Sequence, residues 1–292
     1  MNSTNMKNLR QKIKFIAFLI FFDAIFVFTV FPGEHRIISL APSISDILFA
    51  LDAEDRVIGV TDFCHYPAKI DELVNKGKIK RIGGFSTPNL ELIISLKPTF
   101  IIGTKSLTWQ IKNRIEKLGI KVIWLVEPDN IENLLQTILM VGDQIENRIK
   151  AEKIVNRIKE KLLKIKKKIS IIPEKNKKTV FIEIWNNPLT TAGKNTFLSD
   201  LIKKAGAVPA IELMQDWPVI SEEVLIKINP DVIFCAHTKP AYPQRLKFTK
   251  AIKNNHFFIP ENKDIFLQPG TRIADAVSEL FAYLYPEIKY DN

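Results

Sequence analysis

The chain has 292 residues, 46% hydrophobic and 25% charged, which is the balance of a globular protein long enough for two ordinary domains. Its formal charge of +10 is unevenly placed, because residues 150–178 hold 12 Lys and Arg against three acids and residues 1–35 hold four against two. The rest of the chain is close to neutral. A nucleic-acid binder spreads its basic residues over a folded face, so we expect a solvated basic helix and no nucleic-acid partner.

The first 31 residues have the pattern of a targeting segment. Four basic residues precede an apolar run, 15–31, in which Asp23 is the one charged residue. A basic start followed by an apolar stretch is typical of a secretory signal. Neither an A-x-A cleavage site nor a cysteine follows, and the 17 residues of the run almost suffice to cross a bilayer. We therefore expect export, with residues 1–31 either cleaved or retained as an anchor.

Strand and helix patterns alternate from residue 36 onwards. Ser43 begins a helical pattern in which Asp46, three positions on, suggests a capping box. Another helix is predicted over 109–118. Short apolar runs predict strands at 36–40, 56–60, 98–103 and 121–126. This alternation predicts an α/β lobe over residues 36–128, built on a parallel sheet with helices on both faces.

A long helical pattern over about 131–169 follows, with neither Pro nor Gly after Gly142. It predicts one unbroken helix, and the linking segment is assigned to residues 129–172. Strand and helix patterns then alternate again over residues 178–288. The predicted fold class is therefore α/β, with two Rossmann-like lobes joined by one long rigid helix.

An internal repeat supports two related lobes. The segments Asn89–Ile102 and Ser221–Phe234 align without gaps. Each opens with a residue favoured at a helix N-cap, has glutamate at the third position and proline at the tenth, and ends in an apolar strand pattern. The shared order indicates one helix–proline–strand unit used in both lobes.

Four aromatic residues lie in loops after predicted strands or before predicted helices: Tyr66, Phe85, Trp185 and Trp217. The carboxyl ends of strands in open α/β sheets line the ligand crevice. Flat rings cover apolar area and stack on conjugated ligands, so these residues are candidate ligand contacts, with simple loop packing as the alternative. We expect ring-bearing loops of both lobes to meet across one shared gap.

Two Cys and His pairs also end predicted strands, Cys64–His65 in the first lobe and Cys235-x-His237 in the second. Such residues can bind zinc or haem iron, but their spacing is not that of a closed zinc site. We predict no metal site and two free thiols, with His65 as a polar contact in the cleft. Metal ligation stays open as the alternative.

Sequence signatures of common enzymes are missing from the chain. It contains no G-x-S-x-G, Walker loop, H-E-x-x-H or G-x-G-x-x-G. We therefore predict a binding protein, and a metal-dependent enzyme is the distant alternative.

Four segments carry a family resemblance, namely RIISLAPSISDILFAL, GGFSTPNLELIISLKPTFII, DWPVISEEVLIKINPDVIF and PGTRIADAVSEL. Together they resemble the periplasmic binding proteins for cobalamin, haem and iron-siderophores, over residues 36 to about 286. The likeness is strongest to cobalamin-binding proteins of ATP-driven importers. It implies a periplasmic monomer that holds cobalamin between its lobes as cargo, without a cofactor. Haem or an iron-siderophore is the alternative ligand.

The resemblance also implies roles for individual residues. Glu91 and Glu223 match the surface glutamates that dock onto the two subunits of the permease, although each would also stabilise the first turn of a helix. Arg272 is a candidate contact for a ligand carboxylate or amide, or one partner of a salt bridge. Haem would need an axial ligand, for which Tyr66, His65 and His237 are candidates.

Overall fold

The computed structural model of the protein describes residues 35–107, 109–236, 242 and 246–288. The predicted targeting segment 1–31 and His237 lie outside these ranges. Residues 36–292 form one compact unit. Among the helices that are described, none is both long and apolar enough to cross a membrane.

The first lobe contains a sheet of five parallel strands in the order β3-β2-β1-β4-β5. Successive side chains of the central strands lie on opposite faces of the sheet: Ile37 and Ile102 belong to one buried cluster, and Ile38 and Ile101 belong to another. Helices α1 and α2 pack on the first face, and α3 and α4 on the second. The strands are β1 (Ile37–Ser39), β2 (Val57–Val60), β3 (Lys80–Arg81), β4 (Phe100–Thr104) and β5 (Lys121–Leu125). The helices are α1 (Pro42–Ala50), α2 (Lys69–Asn75), α3 (Leu90–Ser95) and α4 (Trp109–Glu116).

The predicted single helix over 131–169 is in fact two helices, α5 (Ile131–Gln144) and α6 (Arg148–Ile169). Glu146 ends the first one because its backbone has φ 57°, which an α-helix does not permit. The first lobe holds the break in place: Arg56 Nη1 donates to the Ile145 carbonyl at 2.8 Å, and Asn147 Nδ2 donates to the Leu51 carbonyl at 2.8 Å. The prediction of an unbroken helix was wrong, and α6, about 33 Å long, is the long helix of the fold.

The second lobe is built on a mixed sheet in which β10, β9, β6 and β8 are parallel neighbours and β7 runs antiparallel to β6. The strands are β6 (Thr179–Asn186), β7 (Leu189–Thr191), β8 (Val208–Pro209), β9 (Val232–Cys235) and β10 (Phe257–Phe258). The helices are α7 (Phe197–Lys204), α8 (Glu222–Ile228), α9 (Lys250–Lys253), α10 (Asp264–Leu267) and α11 (Ile273–Leu284). The predicted α/β class with two lobes built on parallel strands is confirmed.

The predicted repeat is also present in the fold. Helix α3 leads through Pro98 into β4, and α8 leads through Pro230 into β9. Both units turn at the ninth position, where Lys97 and Asn229 each have φ 49°. Both strands lie beside the central strand of their sheet, β1 or β6. The two lobes therefore share one construction, as the sequence alignment predicted.

The lobes rest on a common layer of helices. One continuous cluster of buried side chains includes residues of α1 and α5 as well as α7 and α11, with α6 between them. Asp200 of α7 accepts a hydrogen bond from the Ile131 N–H at the start of α5, at 2.8 Å. Cys64 and Cys235 are both buried, and no disulfide bond joins them.

Candidate ligand-binding cleft

A cavity of about 410 Å³ lies where the two lobes face each other. The first lobe contributes the start of α1 at Pro42 and Ser43, together with Phe85. The second lobe contributes Trp217 and the start of α7, and the segments 127–129 and 266–269 complete the wall. Aromatic rings from both lobes therefore line one cavity, as expected for Phe85 and Trp217.

This cavity is acidic. Glu127, Asp129 and Asp216 line it, and none of the described residues in its wall is Lys or Arg. Glu127 accepts a hydrogen bond from Ser106 Oγ at 2.7 Å, and Asp129 accepts one from Asn133 Nδ2 at 2.6 Å. The acidic cavity can thus accept an apolar ring system and polar donors, but it repels an anion.

A second cavity, of about 460 Å³, lies beside the long helix and is basic. Arg157 and Lys161 of α6 and Arg272 line it, against Asp46 and Asp275. The guanidinium of Arg272 lies 3.2 Å from the ring centroid of Tyr66, a cation–π contact. Among the described residues, no acceptor is within hydrogen-bonding distance of the buried Arg272 Nε. The basic cavity therefore has an unused donor and an excess of positive charge.

Asp46 lines the basic cavity and also a narrow gap of about 10 Å³ that Pro42, Ser43 and Gln268 of the acidic-cavity wall line as well. Its side chain is 8% exposed and accepts hydrogen bonds from Thr271 N, at 2.6 Å, and Thr271 Oγ1, at 3.1 Å. Gly270 permits this approach, since a Cβ there would lie 2.2 Å from Asp46 Oδ2. Burial raises the pKa of the Asp46 carboxyl, which the hydrogen bonds from Thr271 oppose. The contact joins α1 to the residues just before α11.

The predicted capping box at Ser43 and Asp46 was therefore wrong. Helix α1 begins at Pro42, its N-cap Ala41 has no side-chain hydrogen bond, and Ser43 lies within the first turn. The carboxylate of Asp46 makes a tertiary contact with Thr271 instead of a local one. Short sequence patterns do not report a partner 225 residues away.

The four predicted aromatic residues do not meet in one cavity. Phe85 and Trp217 line the acidic cavity, whereas Tyr66 lines the basic cavity with Arg272. Trp185 lines neither; it is 54% exposed, and its Nε1 donates to the Asn187 carbonyl at 3.0 Å. The expectation of one shared gap is corrected to two cavities joined by a narrow gap of about 10 Å³, which Tyr66 and Asp46 line together with Pro42, Ser43 and Gln268 from the wall of the acidic cavity.

His65 lies outside both cavities. Its ring is exposed, and Nδ1 lies 3.1 Å from Asp71 and 3.4 Å from Arg81 Nη2. Its expected place in the cleft is therefore corrected, because its ring nitrogen is held by Asp71. In the part of the chain that the structure describes, no group of three His, Cys, Asp or Glu side chains can hold a metal ion.

Glu91 and Glu223 occupy equivalent exposed positions, in the first turns of α3 and α8. Asn89 caps α3 by accepting from Leu92 N at 3.0 Å, whereas Ser221 makes no such bond at α8. Both glutamates lie outside the two cavities and are accessible to a partner.

Sequence reasoning missed the contributions of Phe266, Arg157 and Lys161 to the cavities. Arg157 and Lys161 are four residues apart and share one side of α6, which their spacing indicates. No local pattern shows that this side meets α11. Their assignment to a cavity required the tertiary structure.

Comparisons with known proteins agree with this architecture. The family model described as periplasmic binding protein matches residues 37–260. The chain is 27% identical to the ABC transporter substrate-binding lipoprotein YvrC of Bacillus subtilis (strain 168), covering 89% of this chain and 82% of that protein. It is 25% identical to the vitamin B12-binding protein of Salmonella typhi, covering 84% and 88%. A crystal structure of a possible iron-binding periplasmic solute-binding protein from Staphylococcus epidermidis matches with a TM-score of 0.74 and 26% identity, over 86% of this chain and 98% of that one.

Proposed function

The chain belongs to the periplasmic binding protein family, whose compared members are solute-binding proteins and not enzymes, and we propose that it captures cobalamin for an ATP-driven importer. The acidic cavity is the proposed binding site. One observation carries this choice of ligand: rings from both lobes line a cavity whose charged side chains are all carboxylates. The ligand is carried as cargo and released to the permease.

The chemistry of cobalamin matches that wall. Its corrin ring presents an apolar face for Phe85 and Trp217 to contact, and its rim carries uncharged amides that donate hydrogen bonds to carboxylates such as Asp216. Haem brings two carboxylates and an anionic ferric siderophore brings several charged oxygens, which Glu127 and Asp129 repel, whereas cobalamin carries one phosphate, on its nucleotide loop and not on its corrin ring. The vitamin B12-binding protein of Salmonella typhi, similar over most of its length, is consistent with this choice.

Haem is the second candidate, and the basic cavity favours it. Arg157, Lys161 and Arg272 line this cavity and suit the two carboxylates of haem. The oxygen of Tyr66, in the same wall, is a side-chain ligand of the kind that binds haem iron. His65 suits this role less, because it lies outside the cavity and is paired with Asp71.

Calorimetric titration of residues 36–292 with cyanocobalamin, hemin and a ferric siderophore tests the proposal. Trp217→Ala removes a ring from the acidic cavity, and Arg272→Ala removes a cation from the basic one. For cobalamin we expect Trp217→Ala to weaken binding about tenfold to 30-fold, and Arg272→Ala to change it little. Binding of hemin alone, weakened by Arg272→Ala and not by Trp217→Ala, would replace cobalamin with haem. Failure of all three ligands would refute both candidates.

We also propose that Glu91 and Glu223 dock the two lobes onto the two subunits of the permease. Their support is their equivalent, exposed position in a repeated unit, which suits a two-fold partner. Charge reversal of both should abolish uptake in cells and leave ligand affinity unchanged. The control reverses Glu72 and Glu212, one exposed glutamate in each lobe, and should keep uptake. Normal uptake by the Glu91→Lys, Glu223→Lys variant would remove the docking role.

The family is extracytoplasmic, and we propose that residues 1–31 direct export as a signal or as a membrane anchor. The basic start and apolar run of this segment support that role. We further propose that residues 36–128 and 178–288 act as the two lobes of a monomer, linked by 129–172. Mass spectrometry of protein from the membrane and soluble fractions tests export, and an uncleaved cytosolic chain would contradict it.

A further inference from the structure

Helix α6 presents a basic outer stripe to solvent. The stripe consists of residues that recur at helical spacing along one side: Ile149, Lys153, Asn156, Glu160, Leu163, Lys164 and Lys167. The opposite side of the helix is buried, with Ile154, Ile158 and Ile165 in the core. Because the buried side of α6 packs on the core along the helix, the outer stripe always faces away from the core.

The lysines of this outer stripe differ from Lys150 and Lys161 on its flanks, which form ion pairs. Lys150 pairs with Asp52 at 2.7 Å, and Lys161 pairs with Asp275 at 2.7 Å. No carboxylate of the described chain lies within 4.0 Å of the ammonium of Lys153, Lys164 or Lys167, and all three are exposed. Their charge is therefore available to an anionic partner.

Large apolar side chains lie among these lysines. Ile149 is 71% exposed and Leu163 is 53% exposed, and neither packs on the core clusters. Exposed apolar residues between lysines fit a surface that is anionic at its face and apolar just beneath it. A soluble polyanion uses the charges but has no place for the two apolar side chains.

We propose that the outer stripe of α6 rests on the surface of an anionic lipid bilayer. Lysines contact the lipid phosphates, while Ile149 and Leu163 enter the boundary between headgroups and acyl chains. The stripe is separate from Glu91 and Glu223, which lie on α3 and α8. Contact with the bilayer keeps the binding protein at the membrane between encounters with its permease, whichever ligand it carries.

Co-sedimentation with vesicles tests this surface. The chain used is 36–292, because these residues form one compact unit with both sheets and cores complete. We expect binding to vesicles of phosphatidylglycerol and phosphatidylcholine in equal parts at 50 mM salt, and loss of binding at 500 mM or on pure phosphatidylcholine. Absence of binding to the anionic vesicles at low salt would overturn the proposal.

Matched variants distinguish vesicle binding by the outer stripe from a general effect of the protein's net charge. Replacing Lys153, Lys164 and Lys167 by Gln should lower the partition coefficient between vesicles and solution about 100-fold, because each lysine near an anionic surface raises it about fivefold. The control replaces three exposed lysines elsewhere by Gln, at the same net charge, and should change it less than threefold. The control positions are Lys78, Lys117 and Lys253. Equal losses in the two variants would mean that only net charge matters, and would overturn the proposal.

The apolar residues decide between a bilayer and a soluble polymer. Ile149→Ser with Leu163→Ser should weaken vesicle binding about tenfold and leave binding to polyphosphate unchanged. Vesicle binding that is unaffected by this double substitution would show that the stripe does not enter the bilayer, and would overturn the assignment to lipid. Ligand titration of the same variants should match the unsubstituted chain, since no residue of the outer stripe lines either cavity.

Discussion

Replacing Asp46 probes the contact that joins the two lobes through Thr271. In the Asp46→Ala variant, Thr271 N–H and Oγ1 lose an acceptor at 2.6 Å and 3.1 Å in a largely buried position. A buried donor without an acceptor costs about 1–3 kcal/mol, so we expect a loss of about 2 kcal/mol in the free energy of unfolding. The assay is urea unfolding followed by circular dichroism.

Asp46→Asn is the informative comparison. Its amide oxygen can still accept from Thr271 N–H, and its amide nitrogen can donate to Thr271 Oγ1, so the hydrogen bonds persist. The substitution also removes the cost of burying a charge, which raises the pKa of Asp46. We therefore expect stability within about 1 kcal/mol of the unsubstituted chain at neutral pH.

Two results would refute this reasoning. If Asp46→Asn is as unstable as Asp46→Ala, the charge and not the hydrogen bonding holds the contact. If Asp46→Ala is as stable as the unsubstituted chain, the contact contributes nothing. A double-mutant cycle with Thr271→Val supplies the control, with an expected coupling of about 1 kcal/mol.

Three further predictions follow from particular residues. The pKa of Asp46 is raised above its ordinary value of 3.8, so the stability that the protonated carboxyl contributes is complete below pH 3.8 and is lost as the pH rises through the raised pKa. The urea concentration at the midpoint of unfolding should therefore fall across pH 4–7, and it should fall less in the Asp46→Asn variant. Gly206→Ala should lower the free energy of unfolding by about 2 kcal/mol or more in the same assay, because Gly206 has φ 82° and a Cβ there would lie 2.7 Å from the side chain of Ile169. An unchanged free energy of unfolding would contradict this close packing. Burial raises the pKa of Cys64, so its thiol should resist alkylation at pH 8 until urea unfolds the chain, and rapid reaction in the native state, followed by mass spectrometry, would contradict this burial.

Local patterns predicted the elements and their class. The apolar run 98–103 corresponds to β4, because a strand buried on both faces needs continuous apolar side chains, and the run 121–126 corresponds to β5, the half-buried strand at the edge of the same sheet. The repeat likewise predicted α3 with β4 and α8 with β9. The break at Glu146 was not predictable in this way, since no Pro or Gly marks it and the residues that hold it, Arg56 and Leu51, belong to the first lobe.

The sequence by itself determined which residues bear rings and charge, and that they lie in loops at strand ends or on one long basic helix. Tertiary structure alone decided how they are grouped. Asp46 and Thr271, 225 residues apart, form a hydrogen bond between the lobes, and Tyr66 and Trp217 line different cavities. The basic cavity arises because packing of α6 against α11 brings Arg157 and Lys161 beside Arg272, and no period along the chain encodes that approach.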